Sequence, residues 1–154
     1  MKTNALMLVA ALALASACRA SADGPPAIEL DRTACARCGM LVSETRFAAA
    51  YRTEGGESKV FDDIGCLRQA VRTSPEPRPA VFWFHDAGHG GWLDGRRSRF
   101  VVSPEIHTPM GGGILAFGDA AAAASEASAR HGRVVDSVDE LLRADPQPEK
   151  EDPQ

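Results

Sequence analysis

The feature that most constrains the fold of this chain is a junction between a strand and a helix that occurs twice. The segments Val60-Phe61-Asp62-Asp63 and Ala116-Phe117-Gly118-Asp119 lie 56 residues apart, and each places a phenylalanine two residues before an aspartate. Aspartate is a preferred N-cap residue because its carboxylate accepts a hydrogen bond from the first turn of a helix. The two segments therefore predict an internal repeat in which a strand leads into a capped helix.

The residues around the first junction predict two strands, a helix and a third strand. Strand-like residues fill Phe47–Arg52 and Lys59–Phe61, and the paired glycines between them suit a tight hairpin turn. Apolar residues then recur at helical spacing from Ile64 to Val71. The β-branched and aromatic run Ala80–Phe84 is typical of a buried strand.

The second half of the chain repeats this order. Arg99–Val102 and Ile114–Phe117 are predicted strands, Asp119 caps an alanine-rich helix to about residue 130, and Arg133–Val138 is a predicted strand. Helices and strands that are interleaved with hairpins indicate the α+β class. The sequence thus predicts two small ββαβ-like units in tandem, at about 40–85 and 92–142, which share one compact mature domain at 30–142.

The N-terminal region has the pattern of a secretory signal. Lys2 precedes an apolar run that is shorter than the roughly 20 residues a membrane-spanning helix needs. Small residues directly before Cys18 resemble a lipobox, so we expect residues 1–17 to be removed and Cys18 to be acylated. Ordinary signal cleavage with an unmodified Cys18 is the alternative. Residues 18–29 would tether the domain to the periplasmic face of a membrane, and Arg19 favours the outer membrane.

Charge and composition limit the possible partners of the protein and indicate the character of its C-terminal segment. The formal net charge is −4 and the chain has no run of basic residues, so we predict no binding to nucleic acid. Residues 143–154 are rich in proline and charge and have no large apolar side chain. We expect these residues to form a disordered tail.

Three cysteines of the mature chain are candidates for redox or metal chemistry. Cys35 and Cys38 form a Cys-x-x-Cys pair, and Cys66 lies at the start of the first predicted helix. Such a pair occurs in thiol–disulfide redox proteins, where it opens a helix that lowers a thiol pKa, and in zinc sites, which need four ligands. Gly39 directly after the pair argues against a helix there, yet both alternatives stay open.

Two methionines favour a third alternative, which is a Cu(I) site. Thiolate and thioether sulfurs are soft ligands that select Cu(I) over harder divalent ions. Met40 follows Cys38 by two residues, and Met110 lies in a loop of proline and glycine where a core methionine has little to pack against. We predict a three-coordinate, open Cu(I) site formed by Cys38, Met40 and Met110. Further candidate ligands are Cys35, Cys66 and His107.

These motifs, in this order, resemble those of the NosL family. The resemblance rests on Cys35-x-x-Cys38-Gly39-Met40, Phe61-Asp62-Asp63, Phe100-Val101-Val102 and Pro109-Met110-Gly111, and it covers most of the mature chain. It implies a fold of two ββαβ units and a periplasmic lipoprotein that binds Cu(I) and supports assembly of the copper sites of nitrous oxide reductase. It also implies Cys38 and Met40 as ligands, with Met110 as the distal one.

The sequence therefore predicts a membrane-anchored Cu(I) chaperone and not an enzyme. The expected partners are a copper-receiving apo-enzyme, either nitrous oxide reductase or a related exported copper protein, and a copper-exporting or maturation complex. A thiol–disulfide redox protein that uses Cys35 and Cys38 is the alternative. A chaperone binds Cu(I) stoichiometrically without turnover, whereas a redox protein exchanges disulfides with a substrate.

Overall fold

The computed structural model describes residues 24–74 and 78–143. The predicted signal, Cys18 and the predicted tail beyond Arg143 lie outside the described residues. Within them, two antiparallel sheets combine with three α-helices, which confirms the prediction of an α+β fold. None of these helices is long and apolar enough to cross a membrane.

The first sheet has the strand order β2-β1-β3-β4. Its elements are β1 Ala49–Thr53, β2 Ser58–Phe61, β3 Pro79–His85 and β4 Trp92–Asp94, with helix α1 Ile64–Thr73 between β2 and β3. Strands β1 and β2 form the predicted hairpin, and Gly56 in its turn has a φ of +87°. Glycine adopts this left-handed conformation without the steric cost that a side chain would bring.

The second sheet has the order β6-β5-β7, which repeats the order β2-β1-β3 of the first. Its elements are β5 Arg99–Val102, β6 Ile114–Phe117 and β7 Arg133–Val135, with helix α2 Ala120–Ala129 between β6 and β7 and helix α3 Val138–Arg143 after β7. Asp63 and Asp119 are the N-caps of α1 and α2, as the repeated junction predicts. Each half therefore contains a ββαβ unit.

Two elements differ from the sequence prediction. The predicted strand Arg133–Val138 is wrong in its second half, because β7 ends at Val135 and Val138 begins α3. Val138 and Leu141 are three residues apart and both are buried, which fits one face of a helix better than alternation along a strand. Strand β4 was not predicted, because three residues are too few to show the alternation of apolar and polar side chains that indicates a strand.

Both units pack around one core. The rings of Phe84 and Phe100, one from each sheet, meet edge to face with centroids 4.7 Å apart. The N–H of Ala87, just after β3, donates a hydrogen bond of 2.8 Å to the carbonyl of Ala116 in β6. Cys66 is packed within this same core, so the thiols lie where the two units meet the first helix.

Candidate metal centre

The Cys-x-x-Cys segment forms the tip of a small hairpin. The N–H of Cys35 donates to the carbonyl of Met40 at 2.8 Å, and the N–H of Gly39 donates to the carbonyl of Cys35 at 3.0 Å. Gly39 has a φ of +77°, which this tight turn requires. The N–H of Ala36 donates to the carbonyl of Val60 in β2 at 2.8 Å. The hairpin tip is therefore held beside the first strand-to-helix junction.

Three cysteines and one aspartate meet at this junction. Cys35, Cys38, Asp62 and Cys66, which we call the thiol cluster, each place a ligand atom so that all four atoms lie within 4.8 Å of one another. Cys38 is half-buried and the other three are buried. The Cys38 thiol donates to the Asp62 carboxylate, with Sγ 3.6 Å from Oδ1. The structure thus brings together the three cysteines that the sequence singled out.

Asp62 is a member of this cluster that the sequence analysis missed. Asp62 and Asp63 both lie where a helix cap is expected, and a single aspartate is enough for that role. The structure divides the two, because Asp63 caps α1 while the Asp62 carboxylate accepts a hydrogen bond from the Cys38 thiol. The second junction has Gly118 at the position of Asp62, and this difference between the repeats was the available signal.

The thiols of the cluster hold their protons unequally. A hydrogen bond from Cys66 lowers the pKa of Cys35 to about 4, although burial opposes the shift. That same bond and burial raise the pKa of Cys66, and burial raises the pKa of Cys38. Burial and a hydrogen bond with Cys35 raise the pKa of Asp62 to about 6. The cluster therefore combines one thiol of lowered pKa, Cys35, with two thiols of raised pKa that must release their protons when a cation binds.

The two predicted methionine ligands are exposed beside the cluster. Met40 is 52% exposed and Met110 is 42% exposed, which is unusual for large apolar side chains. Met40 follows the hairpin tip. The main-chain N–H of Met110 donates to Asp63 Oδ2 at 3.0 Å, so its loop lies against the first turn of α1. The same turn carries Cys66, so both methionines lie on segments that adjoin the thiols.

His107, the remaining candidate ligand, lies elsewhere. It is exposed and lines a cavity of about 140 Å³ together with Phe47, Leu115 and Glu126. Among the described residues, the grouped metal-ligating side chains at the junction include no histidine. The structure therefore does not bring His107 to the thiol cluster.

The chemistry of the cluster suits a soft cation. Thiolate and thioether sulfurs prefer Cu(I), and three thiolates with one carboxylate also match the ligand types of Zn²⁺. The pair Cys35 and Cys38 lies in a hairpin and not at the start of a helix, so no helix dipole activates it as in thioredoxin-type sites. Fold and site together define a small α+β protein with a thiol-rich candidate metal centre.

This chain belongs to the NosL family, whose model matches residues 27–143. Among solved structures it is similar to the copper chaperone NosL from Shewanella denitrificans, with a TM-score of 0.66 and 21% identity over 79% of this chain and 98% of that chain. That likeness shows the fold. No curated protein matches the chain significantly. The predicted resemblance to the NosL family is confirmed, and membership of this family accords with the prediction that the chain is not an enzyme.

Proposed function

We propose that this protein is a chaperone that binds Cu(I) at the thiol cluster and passes it to a copper-receiving protein. The observation that carries the proposal is the convergence of the Cys35, Cys38 and Cys66 sulfurs within 4.8 Å of one another, with the exposed Met40 and Met110 on segments that adjoin these residues. Soft sulfur donors of this kind select Cu(I). The copper chaperone NosL from Shewanella denitrificans, which shares the fold over nearly its whole length, supports the same assignment.

The arrangement of the donors supports binding followed by transfer. Cys35 and Cys66 are buried, Cys38 is half-buried, and Met40 and Met110 are exposed. Copper would reach the cluster past the thioethers and leave the same way, as the soft ligands of a partner replace a methionine. Thioethers are neutral and bind more weakly than thiolates, so they are the donors suited to exchange. The partner's ligands then displace the thiolates in turn, and the thiolates take up protons as the ion leaves.

We propose a location and partners from the family and the N-terminal pattern. The mature protein is held at the periplasmic face of a membrane through an acylated Cys18. Its recipient is nitrous oxide reductase or a related exported copper enzyme, and its donor is a copper-exporting or maturation complex. Membership of the NosL family and the lipobox-like residues before Cys18 support these assignments.

The test is an anaerobic titration of the reduced mature domain with Cu(I) against a competing chelator. The parent, Met110→Ala and Cys38→Ser are compared, and Leu41→Ala serves as a control because Leu41 is a 50% exposed apolar residue next to Met40. We expect a near-stoichiometric site that both ligand variants weaken and that Leu41→Ala leaves unchanged. Absence of binding, or binding that neither ligand variant affects, would contradict the proposal.

The proposed site also requires reduced thiols. A disulfide between Cys35 and Cys38 would remove two of the three thiolates, so copper binding should depend on a reductant. The titration is repeated after oxidation of the domain, and free thiols are counted in each sample. A Cu(I) complex of full strength in the oxidised domain would exclude a role for this pair.

A thiol–disulfide redox protein is the second candidate function. The observation that favours it is the lowered pKa of Cys35, about 4, within a Cys-x-x-Cys pair. However, Cys35 is only 3% exposed, so a protein disulfide cannot reach the thiolate without opening the hairpin. The discriminating assay is reduction of a protein disulfide with turnover.

A structural zinc site, in contrast, predicts that a chelator unfolds the purified domain.

A further inference from the structure

We propose that Asp63 is a positioning residue that sets the affinity for Cu(I) by holding the loop Thr108–Gly113 against the thiol cluster. We call this segment the Met110 loop. Asp63 acts through Met110 and does not contact the ion. This inference rests on the proposed function, and it adds a residue that belongs neither to the thiol cluster nor to the predicted ligands.

The Asp63 carboxylate is completely buried, and both of its oxygens accept hydrogen bonds. Oδ1 accepts from the N–H of Gly65 at 2.6 Å and so caps α1. Oδ2 accepts from the hydroxyl of Thr108, from the N–H of Met110 at 3.0 Å and from the N–H of Gly112 at 3.4 Å. Hydrogen bonds to an ionised acceptor are stronger than those between neutral groups. One side chain of the first unit therefore accepts three hydrogen bonds from the second unit.

The backbone of the Met110 loop closely approaches the backbone of α1. A Cβ built on Gly65 would lie 2.8 Å from the Cα of Gly112, and one built on Gly112 would lie 2.3 Å from Asp63 Oδ1. Real Cβ atoms do not come so close to other heavy atoms, so glycine is required at both positions. The Met110 side chain itself is 42% exposed. The carboxylate and this backbone contact, and not packing of the thioether, therefore fix the loop.

The consequence for the metal centre follows from the sequence neighbours. Gly65 directly precedes Cys66, so the contact that seats the Met110 loop lies one residue from a cysteine of the thiol cluster. Oδ1 serves the helix that carries Cys66, and Oδ2 serves the loop that carries Met110. Loosening the bonds to Oδ2 would withdraw Met110 without uncapping the helix. Asp63 thus controls how long Met110, an exposed soft donor, stays in place.

The second unit supplies a matched comparison. Asp119 caps α2 with a hydrogen bond of 2.7 Å from the N–H of Ala122, and it is exposed. It has the first role of Asp63, which is helix capping, but no bond to the Met110 loop is seen for it among the described residues. Asp119→Asn is therefore the control for loss of a carboxylate at a helix cap.

The experiment measures Cu(I) affinity of the reduced mature domain by chelator competition. Asp63→Asn keeps the shape and one acceptor oxygen but turns an N–H donor towards the donors of the loop. Loss of a group that orients a metal ligand typically weakens metal affinity about 10- to 100-fold, and we expect a loss in this range. Thr108→Val should give a smaller loss and Thr108→Ser should restore the parent affinity. Asp119→Asn should have no effect.

The decisive readout is the combination of Asp63→Asn with Met110→Ala. If Asp63 acts through Met110, the double variant binds Cu(I) no more weakly than Met110→Ala alone. In the copper-free protein, Asp63→Asn should also speed hydrogen exchange at the Met110 amide. An equal loss in both backgrounds, or no loss with Asp63→Asn or Thr108→Val, would overturn the inference while leaving the proposed function intact. A parent domain that binds no Cu(I) at all would instead refute the proposed function and this inference with it.

Discussion

Replacement of Gly112 by alanine provides a sharp test of how the Met110 loop is seated. The added methyl group would lie 2.3 Å from Asp63 Oδ1, 3.0 Å from the Cα of Gly65 and 3.1 Å from the Gly65 nitrogen. Two of these atoms belong to the backbone of α1, and the third belongs to a carboxylate that α1 holds in place. None of them can turn away as the end of a flexible side chain could. The loop itself must therefore move.

The size of the effect follows from what that movement breaks. Overpacking a fixed site costs about 1–3 kcal/mol. A shift that relieves the clash instead separates Asp63 from the N–H groups of Met110 and Gly112, and hydrogen bonds to a charged group contribute about 1.5–3 kcal/mol. Both ranges include a loss of about 2 kcal/mol in the free energy of unfolding, which we take as the expected value. For a domain of this size, a loss of 2 kcal/mol lowers Tm by roughly 8 °C.

The assay is urea and thermal unfolding of the copper-free mature domain, followed by Cu(I) competition. Gly55→Ala is the control, because a Cβ there would meet only Thr53 Oγ1, at 3.7 Å. We expect Gly112→Ala to lose stability and Cu(I) affinity together, and Gly55→Ala to change neither by much. If Gly112→Ala were as stable as the control, the close seating of the loop on α1 would be wrong.

Three further predictions concern the thiols, the core and the anchor. Cu(I) affinity should rise between pH 6 and pH 8, since the pKa values of Cys38 and Cys66 are raised and binding must displace their protons; a competition curve that is flat over this range would count against thiolate ligation. Phe100→Ala should cost about 3–5 kcal/mol in urea unfolding, because the ring is fully buried against Phe84; a loss below about 1 kcal/mol would show that the two sheets do not share a core. Cys18→Ala should release the mature protein from membranes in fractionated cells, and persistence in the membrane fraction would exclude an anchor at Cys18.

The sequence predicted those parts of the fold that local patterns determine. The hairpin between β1 and β2, the helix caps Asp63 and Asp119, and strands β5 and β6 follow from turn chemistry, capping and short apolar runs. Helix α3 was read as the end of a strand because Val138 is β-branched and lies close to Val134 and Val135. The spacing of Val138 and Leu141 fits one face of a helix, but a segment of six residues is too short for this spacing to decide.

The candidate site was predictable in its residue types but not in its grouping. Three soft thiols indicate metal or redox chemistry wherever they lie, yet only the fold shows that Cys66 faces the hairpin of Cys35 and Cys38. Asp62 and Asp63 could not be told apart in sequence, since both suit a helix cap. The loop histidine His107 was a reasonable ligand three residues from Met110, and the structure turns it to a different cavity.

The two copies of the strand-to-helix junction differ in the metal-ligating side chains that they carry. Positions equivalent to Asp62 and Cys66 in the second unit are Gly118 and Ala122, and a Cβ on Gly118 would lie 2.9 Å from the side chain of Leu93. The second copy therefore retains the scaffold without the donors, and a carboxylate at Gly118 would require the Leu93 side chain to move. Its contribution is the Met110 loop instead. In the proposed site, the two units thus form a single composite centre, and neither half of the chain holds the complete set of proposed donors by itself.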